Sequence, residues 1–231
     1  MTIPLLLLPG LLCDARLWRH QAETLSDIAD IAIPDLTTDD NIQALAKKVL
    51  ETAPKRFALA GLSMGGYVAQ EIMRQAPERV LRLALVDTTF KADAPEQTER
   101  RRALMSLANH GEFKGVTPRL LPILIHADRM NDPTVANVVM EMAENIGKEA
   151  FIRQQTAIMN RPDGTGDLPR INCPTLVVCG RQDILTPPGI HVEMAGRISN
   201  AKLVVIEDCA HLPPIERPQA MSALFRYWLQ D

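Results

Sequence analysis

At 231 residues the chain is long enough for one large α/β domain, and its length alone does not call for two. Its 46% hydrophobic and 23% charged residues are the balance of a soluble globular protein with a real core, which excludes a disordered or fibrous chain. A formal charge of −3 with a pI near 6.0 gives no electrostatic reason to expect nucleic acid or an anionic membrane as a partner.

The first apolar run, residues 3–8, reads as a buried strand. It is a poor signal segment: no Lys or Arg precedes it, Leu12 is too large for a cleavage position, and Pro9-Gly10 interrupts it. It is also far too short to span a bilayer. Helical spacing follows over residues 15–25, then a strand at 28–33 and a helix at 42–52. A short strand at 57–60 leads into a helix at 64–75 and a strand at 81–86. Two more strands come late, at 175–179 and 203–206, and a helix over 217–229 closes the chain. Several of these strands lack polar alternation, as expected when both sheet faces are covered. The alternation predicts an α/β fold, a mostly parallel sheet of about six strands with helices on both faces.

Residues 88–170 break the rhythm, with helix signals and no convincing strand. Asp93 and Glu96 have the spacing of a capping box, with Pro95 in the first turn. Thr117-Pro118 and Asp132-Pro133 repeat the pattern of cap then proline; Gly111 and Gly147 stand where helices stop, and Pro122 should bend or shorten the second helix. The expected organisation is therefore a core of residues 1–87 and 171–231 with a helical cap, or lid, inserted at 88–170. Such an insertion sits over the carboxyl ends of the strands, where ligands bind. Its Met105, Met130, Met140, Met142 and Met159 read as core rather than as substrate lining. The run Arg100 to Arg102 reads as a solvated helix face. Cys13, Cys173, Cys179 and Cys209 lack disulfide-framework or zinc spacing and read as reduced thiols of a cytoplasmic protein.

The chemistry gathers around Gly61-Leu62-Ser63-Met64-Gly65, between an apolar strand and a helix. That context is the one a nucleophile elbow requires. A tight strand-to-helix turn holds the serine in strained backbone angles, and glycines two positions either side remove side chains that would collide. The helix directs its free N–H groups at the serine, so the amide of Met64 is a candidate oxyanion donor. A serine hydroxyl needs a base. Of five histidines, His20, His110, His126 and His191 fall in or at the ends of helices and read as surface or packing residues. His211 instead lies on the loop after the last strand, and Leu212-Pro213-Pro214 should keep a helix from starting at once. The acid that orients its ring is Asp183, following the strand 175–179, with Asp87 at the end of the strand 81–86 as the alternative. A second oxyanion donor should come from the loop Pro9-Gly10-Leu11-Leu12, with the amide of Leu11 the best candidate.

With these segments in place, the chain resembles compact α/β-hydrolases of the carboxylesterase and haloperoxidase-like branch. The resemblance rests on residues 5–10, 60–67, 85–88, 174–183, 210–212 and 216–218, and it runs nearly end to end. It implies the triad Ser63, Asp183 and His211, with the amides of Leu11 and Met64 as oxyanion donors. It also implies that the chain starts at the family's third strand. Many relatives have His-Gly where this chain has Pro9-Gly10. The expected reaction is hydrolysis of a small carboxylic ester through an acyl-enzyme, with no metal and no organic cofactor. Lactones, thioesters and carbon–carbon bonds are alternative targets of the same triad, and peracid formation is a further one. A ligand-binding protein that kept the fold without catalysis is the alternative of another class. A carboxylate-bearing substrate would need an arginine near the pocket, yet Arg161 and Arg181 read as ordinary loop residues.

Overall fold

Six apolar runs pair into one all-parallel sheet in the computed structural model, which describes residues 2–111 and 113–230. In chain order the elements are β1 (Ile3–Leu8), α1 (Arg19–Thr24), β2 (Ala29–Ala32), α2 (Ile42–Thr52), β3 (Phe57–Leu62), α3 (Met64–Gln75) and β4 (Val80–Val86). The segment that follows holds α4 (Pro95–His110), α5 (Leu121–Leu124) and α6 (Pro133–Met159). After it come β5 (Thr175–Gly180), α7 (Pro188–Arg197), β6 (Ala201–Ile206), α8 (Pro213–Glu216) and α9 (Pro218–Gln230). The sheet order is β2-β1-β3-β4-β5-β6.

The strand side chains divide by parity, as a period of two demands. Leu5, Leu7, Ala58, Ala60 and Leu62 enter one core with Trp18, Phe225 and Trp228. Leu6, Leu8, Phe57 and Leu59 enter the other, with Val68, Ile72 and Met194 of α3 and α7. Both faces are thus sealed, which is why these runs carry so little polar alternation. The chain winds outward from β1 to β2 and then returns to place β3 on the other flank of β1. The carboxyl ends of β1 and β3 therefore form a topological switch point, the usual place for a ligand crevice in an open α/β sheet.

Several boundaries differ from expectation for local reasons. The predicted helix 15–25 is a 3-10 turn (Ala15–Trp18) followed by α1, because Trp18 leaves helical geometry (φ −104°, ψ 11°) while stacking on Phe225. Pro213 and Pro214 do not delay a helix: they occupy the first turn of α8, where no backbone N–H is required. The strand-free stretch between β4 and β5 is helical as anticipated. Its first helix starts one residue late, with Ala94 as N-cap, because the Asp93 carboxylate is taken by Arg101 (2.7 Å) and Arg161 (2.6 Å). Asp132 does cap α6 through the N–H of Thr134, and Gly147 (φ 78°) breaks that helix. The Thr117-Pro118 signal opens a turn, and α5 with Pro122 is only four residues long. Among the described residues no helix is long and apolar enough to cross a membrane.

Candidate active site

The serine is positioned by three strands. Leu8 of β1 lies level with Gly61 of β3, and Leu62 lies level with Val86 of β4. The Ser63 N–H donates to the Val86 carbonyl (3.0 Å), and α3 starts at the next residue. Ser63 sits at φ 52°, ψ −114°, a left-handed strained conformation. Two glycines make the turn possible. A Cβ on Gly61 would lie 2.3 Å from the Gly65 carbonyl oxygen, and one on Gly65 would lie 2.3 Å from that of Leu8. The turn thus packs backbone against backbone between β1, β3 and α3.

His211 and Asp183 meet as the sequence order anticipates. His211 Nδ1 is 2.9 Å from Asp183 Oδ2, and both side chains are buried. Asp183 accepts three further hydrogen bonds, from the N–H groups of Leu185 (2.8 Å) and Thr186 (3.1 Å) and from Thr186 Oγ1 (2.6 Å). Burial alone would raise its pKa, but the His211 charge and these donors outweigh that and hold it well below the usual carboxylate range. Ser63 and His211 both line one cavity of about 460 Å³ that is roofed by the β4–β5 segment. Leu104, Leu107, Phe113, Val139 and Phe151 supply much of its apolar wall. None of the five methionines of that segment lines it.

Among the described residues, the N–H groups of Leu11 and Met64 have no protein acceptor. The neighbouring Leu12 N–H is committed: at φ 58° it donates to Gln154 Oε1 (3.0 Å). The amides of Leu11 and Met64 are thus uncommitted, as an oxyanion donor must be.

Residues given no role in the triad also stabilise the site. Glu216, fully buried, accepts the N–H groups of Ala210 (3.1 Å) and Leu212 (3.0 Å), either side of His211, and that of His126 (2.6 Å). Gln154 of α6 bridges Leu12 to the Leu36 carbonyl (3.2 Å). His191 accepts the Thr88 N–H on Nε2 (3.1 Å), and Thr88 Oγ1 in turn donates to the Ser63 carbonyl (2.8 Å). Burial lowers the His191 pKa to about 4, so its ring is neutral. Asp87, the alternative acid, is fully buried beside Asp183 and does not contact the histidine as hydrogen-bond partner. Only Glu216 and Asp87 carried a sequence signal, a charged residue in an otherwise apolar or proline-rich stretch.

Only Arg181 is the ordinary loop residue expected, exposed and paired with Glu207; Arg161 is buried at the cavity, shares the Asp93 carboxylate with Arg101 and stacks on Tyr67 (4.3 Å). Burial pushes the thiols of Cys13 and Cys179 up to about 12, and the four cysteines are free. Asp87, Asp183 and His211 bring ligand-type atoms within 4.8 Å of one another. Two of these three atoms are already joined in the 2.9 Å hydrogen bond, which gives the trio the character of a proton network.

An elbow serine beside an apolar cavity, at the switch point of an all-parallel sheet, defines a hydrolase site of the α/β class. A family model described as the alpha/beta hydrolase family matches residues 5–224, and the chain belongs to that family. It is 26% identical over 196 residues to the pimeloyl-[acyl-carrier protein] methyl ester esterase of Nitrosomonas europaea, covering 80% of this chain and 76% of that protein. Its fold superposes on a thermophilic esterase from Thermogutta terrifontis, solved with malate bound, with a TM-score of 0.88 and 30% identity. That match covers 100% of this chain and 90% of the other. An enol-lactonase from Burkholderia xenovorans shares the fold at TM-score 0.86 and 24% identity, over 100% of this chain and 92% of that one. The protein is a hydrolase.

Proposed function

We propose that the chain is a serine esterase that cleaves a small carboxylic ester with a large apolar group, using Ser63 as nucleophile, His211 as base and Asp183 as orienting acid. The observation that carries this reading is the strained Ser63 elbow and the Asp183-bound His211 lining one apolar cavity. His211 takes the Ser63 proton as the oxygen attacks the ester carbonyl, and Asp183 stabilises the imidazolium. The amides of Met64 and Leu11 hold the tetrahedral oxyanion. The imidazolium then protonates the leaving alcohol, and water, activated by the same base, releases the acid. None of these steps draws on a metal or an organic cofactor.

Residues 88–170 act as a cap that supplies most of the cavity wall, over a core of residues 1–87 and 171–231. The partner is a small molecule; the modest net negative charge favours neither nucleic acid nor an anionic membrane surface. Four free thiols suit a reducing compartment such as the cytoplasm. That the similar Nitrosomonas and Thermogutta proteins are esterases supports the choice of ester over lactone or thioester.

The test is covalent labelling followed by a substrate screen. A fluorophosphonate should modify Ser63, located by mass spectrometry, and Ser63→Ala should be silent. Aryl esters should turn over faster than matched lactones and thioesters. An unlabelled Ser63 in folded protein sinks the hydrolytic mechanism, and turnover confined to lactones or thioesters sinks the ester assignment.

A further inference from the structure

Beside the proposed acid lies a second carboxyl group that the acyl-transfer steps do not use. Asp87 ends β4, is fully buried, and holds φ 39°, a left-handed angle uncommon outside glycine. The backbone fixes it there: its N–H donates to the Val178 carbonyl (2.9 Å), and its Oδ1 accepts the Gly180 N–H (2.9 Å). Its Oδ2 is enclosed and has no group from which to accept a hydrogen bond. Yet Asp87, Asp183 and His211 each bring an atom within 4.8 Å of the others. The remaining titratable groups around Asp87 are Glu216, the thiols of Cys179 and Cys209, and His191, which is held on the adjacent Thr88 N–H. Among the described residues, no arginine or lysine pairs with Asp87 or with Asp183.

Two carboxyl groups at this range share one negative charge and one proton. The donors decide how these divide. Asp183 accepts from Leu185, from Thr186 twice and from His211, whereas Asp87 accepts only from Gly180. The charge therefore belongs on Asp183 and the proton on Asp87. A proton on Oδ2 also removes its isolation, since the oxygen then has a hydrogen to donate toward Asp183.

We propose that Asp87 is a neutral carboxylic acid in the working enzyme and donates a hydrogen bond from Oδ2 to the Asp183 carboxylate, so that a single negative charge stands behind His211. This assignment rests on the triad reading and makes Asp87 a positioning residue. Its consequence is electrostatic. A second full negative charge within 4.8 Å of the imidazole would favour its charged, protonated form. A ring that keeps its proton cannot take one from Ser63. Burial and the neighbouring Asp183 charge both keep Asp87 protonated.

Asp87→Asn tests this directly, because asparagine keeps an acceptor for Gly180, places an N–H donor where the acid proton sits, and never ionises. The His211 ring is titrated by NMR in wild type and D87N, a measurement that needs no substrate and stays readable even if the ester assignment fails. The expected midpoints agree within about 0.3 pH unit. D87N should also retain at least about ten times the kcat of D87A, which lacks the donor, with KM within about twofold across the set. A fall of the D87N midpoint by about a unit or more would mean that a negative charge had been removed, and it overturns the proposal. Equal kcat losses in D87N and D87A overturn it as well. Should D87A not fold, the D87N titration decides alone.

Discussion

Replacing Gln154 with methionine isolates the link between the cap and the oxyanion loop. Methionine matches glutamine in length and flexibility but offers neither a useful acceptor nor a donor. Gln154 is buried, receives the Leu12 N–H at 3.0 Å and donates to the Leu36 carbonyl at 3.2 Å. The substitution leaves one buried N–H and one buried carbonyl unsatisfied, each costing about 1–3 kcal/mol, so about 2–6 kcal/mol in total. For a chain of this size that is a fall in Tm of about 4–24 °C. Leu12 also stands at φ 58°, so releasing its N–H lets the loop relax and moves the neighbouring Leu11 amide. Complete loss of one oxyanion donor costs about 10²–10³ in kcat, and partial displacement should cost at least about tenfold with little change in KM. Thermal unfolding and steady-state kinetics on an aryl ester read both quantities. A variant within about 2 °C of wild type would show that these hydrogen bonds contribute little. Lost stability with unchanged kcat would show that the Leu11 amide is not placed from this side.

Three further perturbations probe other parts of the site. Gly65→Ala drives a Cβ to 2.3 Å from the Leu8 carbonyl oxygen, backbone that cannot yield, so it should lose about 3 kcal/mol and most activity. Gly189→Ala in α7 meets nothing within 4 Å and should be neutral or slightly stabilising when both variants are unfolded by denaturant. Equal effects at the two positions would refute the steric argument. Glu216→Gln offers one acceptor where Ala210, Leu212 and His126 present three N–H groups, and it turns an NH2 toward one of them; about 3 kcal/mol of stability and much of kcat should go. An unchanged melting curve would show that the carboxylate is not what holds the loop. His191 is neutral when folded, with a pKa of about 4 against about 6.5 unfolded. The unfolded chain therefore binds the extra proton between these values, and stability falls by about 3 kcal/mol as pH drops from about 6.5 to about 4. His191→Gln should flatten that part of the stability profile, and an equally steep variant refutes the assignment.

Much of this architecture was legible because it is local. The runs giving β1, α2 and α3 carry their own boundaries: Asn41 caps α2 through the Ala44 N–H, and Pro9-Gly10 ends β1. Ser63, Asp183 and His211 each follow an apolar strand, and parallel strands deliver their carboxyl ends to one rim. What the sequence could not express was partnership at a distance. Gln154 reaches a backbone group 142 residues away, and Glu216 gathers N–H groups that have no side-chain signature. His191 looked like any helix histidine until the fold brought it to Thr88. Asp93 fits a helix cap by spacing, yet Arg101, two turns along the same helix, and Arg161, from beyond α6, claim its carboxylate. The edge strand β2 came out shorter than its apolar run, since only β1 offers it hydrogen bonds.

The backbone N–H of His211 donates to the Leu124 carbonyl at 3.1 Å, and Glu216 fastens the neighbouring His126 to the same loop. The ceiling of the cavity is thus bolted to the segment that carries the proposed base. Were residues 121–126 to hinge upward to admit a molecule, they would drag that imidazole out of register. The cavity-lining side chains that face solvent lie on both flanks, Leu104 and Leu107 on α4 and Leu120 and Ile123 around α5, but only the α5 flank is tied to the proposed base. In such a molecule, widening the doorway by engineering α4 leaves the proton-transfer apparatus undisturbed, whereas the same edit around α5 reaches straight into it.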